Sequence, residues 1–385
     1  MSDFDPTTRL ADDLLVRIRS RAAQVDRENV FPQDDLDELR EAGYLALFVP
    51  AELGGAGLGL SEVSALQQRL ATASPATALA VNMHLVWTGV AKVMADRGVD
   101  DLRFVQEEAA AGEVFAFGIS EAGNDLVLFG SDTDAMPLPD GGYVFTGRKI
   151  FTSLGPVWTR LGLHGLDTTS PDGPKLVYAF VPRGDAVVTR DDWDTMGMRG
   201  TQSRTTELNG VVALPDRVVR RVDAGPSADP IVFAIFSVFE LLLGSVYTGI
   251  ARRAIDLAVE AAGARTSKRT GRPLSEDPDI RHRIAGMALA YDALPLQLAS
   301  LCADVDAGVD HGQRWFTLLS GVKHRAVTMA KHVVDEAMLT AGGSSYFTRN
   351  ELSRLYRDVL AGLFHPSDPE SAHATAASAW LGPLP

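Results

Sequence analysis

A single cysteine, Cys302, in 385 residues excludes a disulfide framework. Its apolar setting, LASLCADV, marks a buried, inert thiol rather than a nucleophile. Basic charge is also short: 36 Lys and Arg against 50 Asp and Glu give a formal net charge of −14. Nucleic-acid binding draws on a concentrated basic surface, so that class of partner is excluded. The local run Arg265–Arg272 (RTSKRTGR) is the exception, either a solvated turn or a contact for a phosphate. The opening residues, MSDFDPTTRL, lack the basic and apolar regions of a secretory signal, and a cytoplasmic location is expected. No internal repeat is visible, and no metal site is expected. One apolar run, Ile231–Ala251, is long enough to span a bilayer, yet it stands alone and carries Glu240 near its centre. It reads as the central helix of a soluble bundle, not as a membrane span.

What the chain does have is three regions of different period. Residues 1–112 read helical, with helices expected at Thr8–Val25, Gln33–Ala42, Ser61–Ala73, Pro75–Arg97 and Val99–Ala111. The glycines of Phe48–Leu58 have no strand before them and no GKS/T after them, so they read as a turn rather than a phosphate cradle. Residues 113–227 change to short β runs split by Gly, Pro and Asp: Val114–Ile119, Gly142–Thr146, Leu176–Val181, Ala186–Thr189 and Glu207–Val212. Turn signals at that spacing predict a small barrel or sandwich. A linker, Asp223–Pro230, precedes residues 228–385, where long helices return at Ile231–Ala262, Pro278–Asp306, Gln313–Ala341 and Arg349–Leu363. A short one follows near Asp368–Trp380. The fold class is α+β and multidomain: an N-terminal helical domain, a middle β-domain and a C-terminal four-helix bundle.

Two stretches of the β region stand out. Trp193–Val218 opens with the turn Gly197-Met-Arg-Gly200, passes through a Thr/Ser-rich run and ends as an alternating strand. Gly142–Gly155 is a second strand with hydroxyls at its end. With the α-β-α order, they resemble the acyl-CoA dehydrogenase superfamily of flavoenzymes, and the resemblance covers nearly the whole chain. It implies FAD. Ile119 and Ser120, in Phe117–Asp125, stand where the family lays a strand and turn against the isoalloxazine. Phe151 takes the place of a stacking aromatic, with Thr152 and Ser153 beside it. Gly342 and Gly343 match a turn that lets backbone approach a pyrophosphate. Arg265 falls near an arginine that reaches a neighbouring subunit's FAD, and Arg199 near the substrate. A homotetramer is implied with it.

The resemblance breaks at the chemistry. The family's usual base is a Glu soon after an Arg-Asp pair. Here Arg357-Asp358 is present, but Pro366 stands at the acid's place and cannot take a proton. Some members carry the base on the central bundle helix, which points to Glu240. That spacing lands one residue early, on Phe239, and one helical step is about 100°. The primary expectation is therefore an FAD-dependent acyl-thioester dehydrogenase with Glu240 as base and an electron-transfer flavoprotein as acceptor. A second expectation comes from two-component monooxygenases of the same fold, which use reduced FMN or FAD delivered by a flavin reductase. They place a His after the Arg-Asp pair and a Ser after the Lys-x-Phe strand, positions held by His365 and Ser153. His84, on an N-terminal helix, is a further substrate contact, and histidine titrates in the useful range. A third is a non-catalytic family member acting as a binding scaffold.

Overall fold

The structure, a computed structural model, describes residues 4–382. Five helices come first: α1 (Asp12–Glu28), α2 (Gln33–Glu41), α3 (Leu60–Ala71), α4 (Pro75–Ala95) and α5 (Arg103–Ala110). Local chemistry sets their ends. Ser74 caps α4 by accepting the Thr77 amide, and Pro75 fills the first turn, where no amide is needed. Gly43, at φ 73°, ends α2 in a left-handed conformation that a side chain would resist. The glycine-rich Phe48–Leu58 stretch is a turn: a Cβ on Gly55 would stand 2.1 Å from the Val49 carbonyl oxygen.

The middle region has strands β1 (Phe115–Gly118), β2 (Asp134–Pro137), β3 (Tyr143–Thr152), β4 (Arg160–Asp167), β5 (Lys175–Pro182), β6 (Val187–Thr189), β7 (Arg204–Ala213) and β8 (Val218–Asp223). They form one hydrogen-bonded eight-stranded sheet in the order β6-β7-β3-β2-β4-β5-β8, with β1 parallel to β4. Three of these strands lie outside the expected runs. β4 hides because nearly all of it is buried, so it shows no alternation, and it holds Gly162 and Gly165. Both glycines are needed: a Cβ would meet Trp87 at 2.3 Å from Gly162 and Phe145 at 2.9 Å from Gly165. β2 is four residues ending in Pro137, and β8 carries Arg220 and Arg221. Trp87 of α4 ties helix to sheet by donating to the Ala116 carbonyl at 3.0 Å.

The last region holds α6 (Pro230–Ala264), α7 (Pro278–Asp306), α8 (Arg314–Ala341), α9 (Glu351–Leu360) and α10 (Pro369–Leu381). Asp229 caps α6, and Pro230 starts it. α6 packs against α3, α4, α7 and α8, so it is the axis of the molecule. By length and composition three helices could cross a membrane: α4, α6 and α7, two more than the single run expected. The apolar windows of α4 and α6 are each 89% buried inside the protein, whereas that of α7 is 22% buried. One hydrophobic cluster runs continuously through helices, sheet and bundle.

Candidate functional site

The site begins with a break in a strand. β3 pairs with β7 with one shift between Phe145 and Thr146, runs in register from Thr146↔Asn209 to Lys149↔Thr206, then skips to Thr152↔Arg204. Two residues of β3 thus face one of β7, which bends the strand and re-aims its side chains. Phe151 takes φ 55° and Leu154 φ 63°, a left-handed backbone that bulky residues adopt at a cost. The result is a ring, Phe151, left 52% exposed at the sheet's end and set edge-on to Trp193 at 6.1 Å.

Beneath the bulge lies a buried ion pair. Lys149 Nζ donates to Glu121 Oε1 at 2.6 Å and to the His164 carbonyl at 2.7 Å, and both side chains are essentially inaccessible. Burial pushes Glu121 up, but Lys149 and hydrogen bonds from Thr133 and the Asp132 amide outweigh it and hold the carboxyl at about 2. Burial draws Lys149 down to about 8, so the pair is charged at neutral pH. It joins β3 to the turn Ser120–Glu121 and fixes both against each other.

A second wall is the Trp193–Ser203 loop. Met198 (φ 53°) and Gln202 (φ 43°) are left-handed, and the Met198 amide donates to Asp358 Oδ1 at 2.6 Å. Arg357 clamps the same loop by donating to the Met196 carbonyl at 2.9 Å, and it grips Asp26 of α1 at 2.8 and 2.5 Å. Burial raises Asp358 to about 6. The loop lies flat on α9: a Cβ on Gly197 would be 2.2 Å from the Arg357 carbonyl oxygen. Gly197→Ala is therefore expected to push the loop off α9 and cost about 1–3 kcal/mol, measured as a lower urea midpoint at unchanged slope. A midpoint equal to the parent's would refute the close approach.

Between these walls and the Leu360–Ser371 segment is a cavity of about 630 Å³, within the range of small-molecule sites. Its apolar side is Leu79, Met83, Phe117 and Phe239, with Leu363 and Phe364 opposite. Three hydroxyls on the wall form a chain: Ser153 Oγ to Ser203 Oγ at 2.7 Å, and Ser203 Oγ to Thr201 Oγ1 at 2.7 Å. His365 faces in from the far side with its ring edge-on to Tyr247 at 5.9 Å. No described group hydrogen-bonds its ring nitrogens. Burial, helped by the nearby Lys323 charge, pushes His365 down to about 3. Both effects favour the neutral imidazole at physiological pH, against the expectation of a histidine titrating in the useful range. A proton NMR titration should find its imidazole unprotonated down to about pH 4. A midpoint between 6 and 7 would show the burial to be overstated.

The structure brings Ser120, Phe151, Ser153 and His365 to this one cavity. Ile119 and Thr152 stand next to lining residues but have their own side chains buried and outside the cavity lining. Three other expectations are corrected, those for Glu240, His84 and Arg199. Glu240 is fully buried and not on the cavity; Phe239 is, as the one-residue offset along the helix allows. Glu240 instead accepts the Ser367 hydroxyl at 2.5 Å, and burial pushes it up to about 8. His84 is used up by the fold: one ring nitrogen bonds the Leu45 carbonyl at 2.8 Å and the other accepts the Phe115 amide at 3.1 Å. Arg199 donates to the Asp26 and Thr195 carbonyls at 2.8 Å each and pairs with Asp194, outside the cavity lining. Arg265 caps the end of α8, donating to the Ala341 carbonyl at 2.6 Å. Its guanidinium lies over Gly342, where a Cβ would be 2.9 Å away. Gly343 continues the same turn, and none of the three lines the cavity. Sequence reading missed the Lys149–Glu121 pair, although both residues lie inside the stretches Gly142–Gly155 and Phe117–Asp125.

Comparison with known proteins follows the same architecture. The model of the acyl-CoA dehydrogenase N-terminal domain matches residues 12–100, and that of the acyl-CoA dehydrogenase C-terminal domain matches residues 241–367. L-evernosamine nitrososynthase of Micromonospora sp. is 29% identical over 379 residues, covering 93% of this chain and 86% of its own. A Bacillus subtilis protein that carries the provisional name of an acyl-CoA dehydrogenase is 28% identical over 375 residues, covering 97% and 95%. Dibenzothiophene monooxygenase of Rhodococcus qingshengii is 27% identical over 393 residues, covering 96% and 91%. Among solved structures, KijD3 bound to FMN and a dTDP-linked amino keto sugar superposes with a TM-score of 0.87 at 26% identity, covering 100% of this chain and 96% of that one.

Proposed function

The chain belongs to the acyl-CoA dehydrogenase superfamily, and from that premise we propose that it is a flavin-dependent monooxygenase rather than an acyl-thioester dehydrogenase. The observation that carries this reading is the exchange at the cavity wall: a neutral, unpartnered His365 faces in, while Glu240 lies behind the wall, bonded to Ser367. Abstracting an α-proton needs a base held within hydrogen-bond reach of the reacting carbon, and a histidine whose neutral form is this strongly favoured is a weak one. Of the carboxylates that line the cavity, Glu121 is committed to Lys149, Ser131 and Thr133, Asp368 accepts the Ser371 amide at the start of α10, and Asp125 is exposed to solvent. The oxygenating and N-oxidising names among the relatives support the same choice.

The cavity suits a flavin. Phe151 offers an exposed ring face, and the Ser153–Ser203–Thr201 hydroxyls supply hydrogen bonds at a polar edge. Ser120 and Ser153 would hold the ring from the sheet side. When bound and reduced, a flavin supplies the activation of oxygen. This chain's own residues do the rest. The apolar wall excludes water and accepts a flat aromatic or heterocyclic substrate. His365, neutral, donates from one ring nitrogen and accepts at the other, which orients a substrate O–H or N–H. Reduced FMN or FAD is delivered by a partner flavin reductase. The exposed apolar side chains of α7, Leu289 and Leu296, support burial in a homotetramer.

The deciding experiment supplies reduced FMN, labelled oxygen and indole or dibenzothiophene to the purified protein. The expected result is label in the organic product. Anaerobic bleaching of bound oxidised flavin by an acyl-CoA, with no labelled product, would return the dehydrogenase reading.

A further inference from the structure

His365 is held in the cavity wall by its backbone, and the group that holds it is a buried lysine. Lys323 of α8 is 1% exposed. Its ammonium donates three hydrogen bonds, to the carbonyl oxygens of Gly362 at 2.9 Å, His365 at 3.1 Å and Ser367 at 3.1 Å. Three donors meet three acceptors, so the charge is fully used. Ser367 takes φ 54°, a conformation a serine adopts at some cost, and its hydroxyl donates to Glu240 Oε1 of α6. Below, the turn sits flush on the bundle: a Cβ on Gly362 would be 2.7 Å from Val327 and 2.8 Å from Tyr247. Asp368, next in the chain, caps α10 by accepting the Ser371 amide at 2.8 Å.

We propose that Lys323 and Glu240, joined through Ser367, are positioning residues that hold the Gly362–Asp368 turn and thereby fix the His365 ring against the cavity. Burying an ammonium is costly even with the Glu240 and Asp368 carboxyl groups nearby, and an apolar side chain of similar length would fill the space at lower cost. What the lysine adds is geometry. It binds three carbonyls across six residues at once, including that of His365 itself. Glu240 completes the device from the opposite helix and locks Ser367 in its left-handed backbone. This gives Glu240 a role that needs no access to the cavity. The proposal rests on reading His365 as a working residue of the site, but its test does not depend on turnover.

The test uses diethyl pyrocarbonate on the purified full chain, with mass mapping of each histidine and hydrogen exchange across residues 361–368. Fully buried His84 is the internal reference for global opening. In Lys323→Met, and in Lys323→Met combined with Glu240→Gln, the His365 modification rate is expected to rise about tenfold or more, since three charge-assisted hydrogen bonds are lost. The His84 rate should stay at its parent value, and faster exchange should be confined to 361–368. Equal acceleration of His84 and His365 would mean general loosening and overturn the proposal, as would no change at His365. If Lys323→Met does not fold, Ser367→Gly decides by the same two rates. It keeps the left-handed backbone and removes the bond to Glu240, so a smaller selective rise at His365 is expected, and none would overturn the idea. Unimpaired oxygenation by His365→Ala would remove the functional reading of that residue while leaving the positioning result intact.

Discussion

Lys149→Met is expected to lower stability by about 3–5 kcal/mol, the usual cost of removing one partner of a buried ion pair. Against a total of about 5–15 kcal/mol, that is a large share. The reason is the group left behind. Glu121 would keep its bonds from Ser131, Thr133 and the Asp132 amide but would lose its only cation, in a place where its side chain is 2% exposed. Two checks separate this from simple loss of packing. Adding Glu121→Gln to the variant removes the orphaned charge and should restore part of the deficit. The pH dependence has a definite sign as well. In the parent, Glu121 is held at about 2, below the ordinary 4.5, so its contribution is full above pH 4.5 and fades as pH falls toward 2. Without Lys149 the carboxyl rises and takes up a proton sooner. The gap between parent and variant should then be widest near neutrality and narrow below about pH 5. A gap independent of pH, measured by urea unfolding, would mean that packing rather than charge carries the effect. Because Lys149 and Glu121 join the bulged end of β3 to the Ser120 turn, the same variant should also bind flavin more weakly.

This pair shows where reading the sequence stops. The helix-sheet-helix order was legible because long helices repeat at 3.6 residues and short strands are cut by Gly and Pro. β4 was not, since a strand buried on both faces has no alternation to detect and its two glycines look like breakers. Ser120, Phe151, Ser153 and His365 could be picked out by their place in recognisable stretches, and all four line the cavity. Glu240 could not be placed, because one step along a helix separates a cavity wall from the space behind it. His84 misled for a different reason. A helical histidine near a pocket looks like a ligand until the fold supplies a carbonyl on one side and an amide on the other. Lys149 and Lys323 carry no local mark of burial. A lysine in a strand or an amphipathic helix reads as solvent-facing, and only tertiary packing brings Glu121 or three carbonyls to it.

His365→Ala is expected to cut product formation by about a hundredfold, the lower end of what a positioned proton-handling group contributes. The modest figure follows from the environment. With its value pushed down to about 3, the imidazole is a weak base at pH 7 and a poor match for general-base catalysis near neutrality. Its neutral ring, whose nitrogens no described group hydrogen-bonds, is well suited to hold a substrate hydroxyl or amine in place. The loss should therefore be one of coupling. Oxygen uptake with reduced flavin should continue near the parent rate, while hydrogen peroxide replaces organic product. His365→Gln, which keeps a donor and an acceptor, should recover part of the yield. Reduced-flavin affinity should change little, because the Phe151 and Ser153 side of the cavity is untouched. Neutral His365 also predicts a parent pH profile with no limb near 6.5 that the alanine variant abolishes. If that limb exists and disappears with the ring, His365 titrates in the complex and acts as a base. If peroxide release and product yield are both unchanged in His365→Ala, the residue is only a wall of the cavity, and the oxygenase reading loses the observation that carries it.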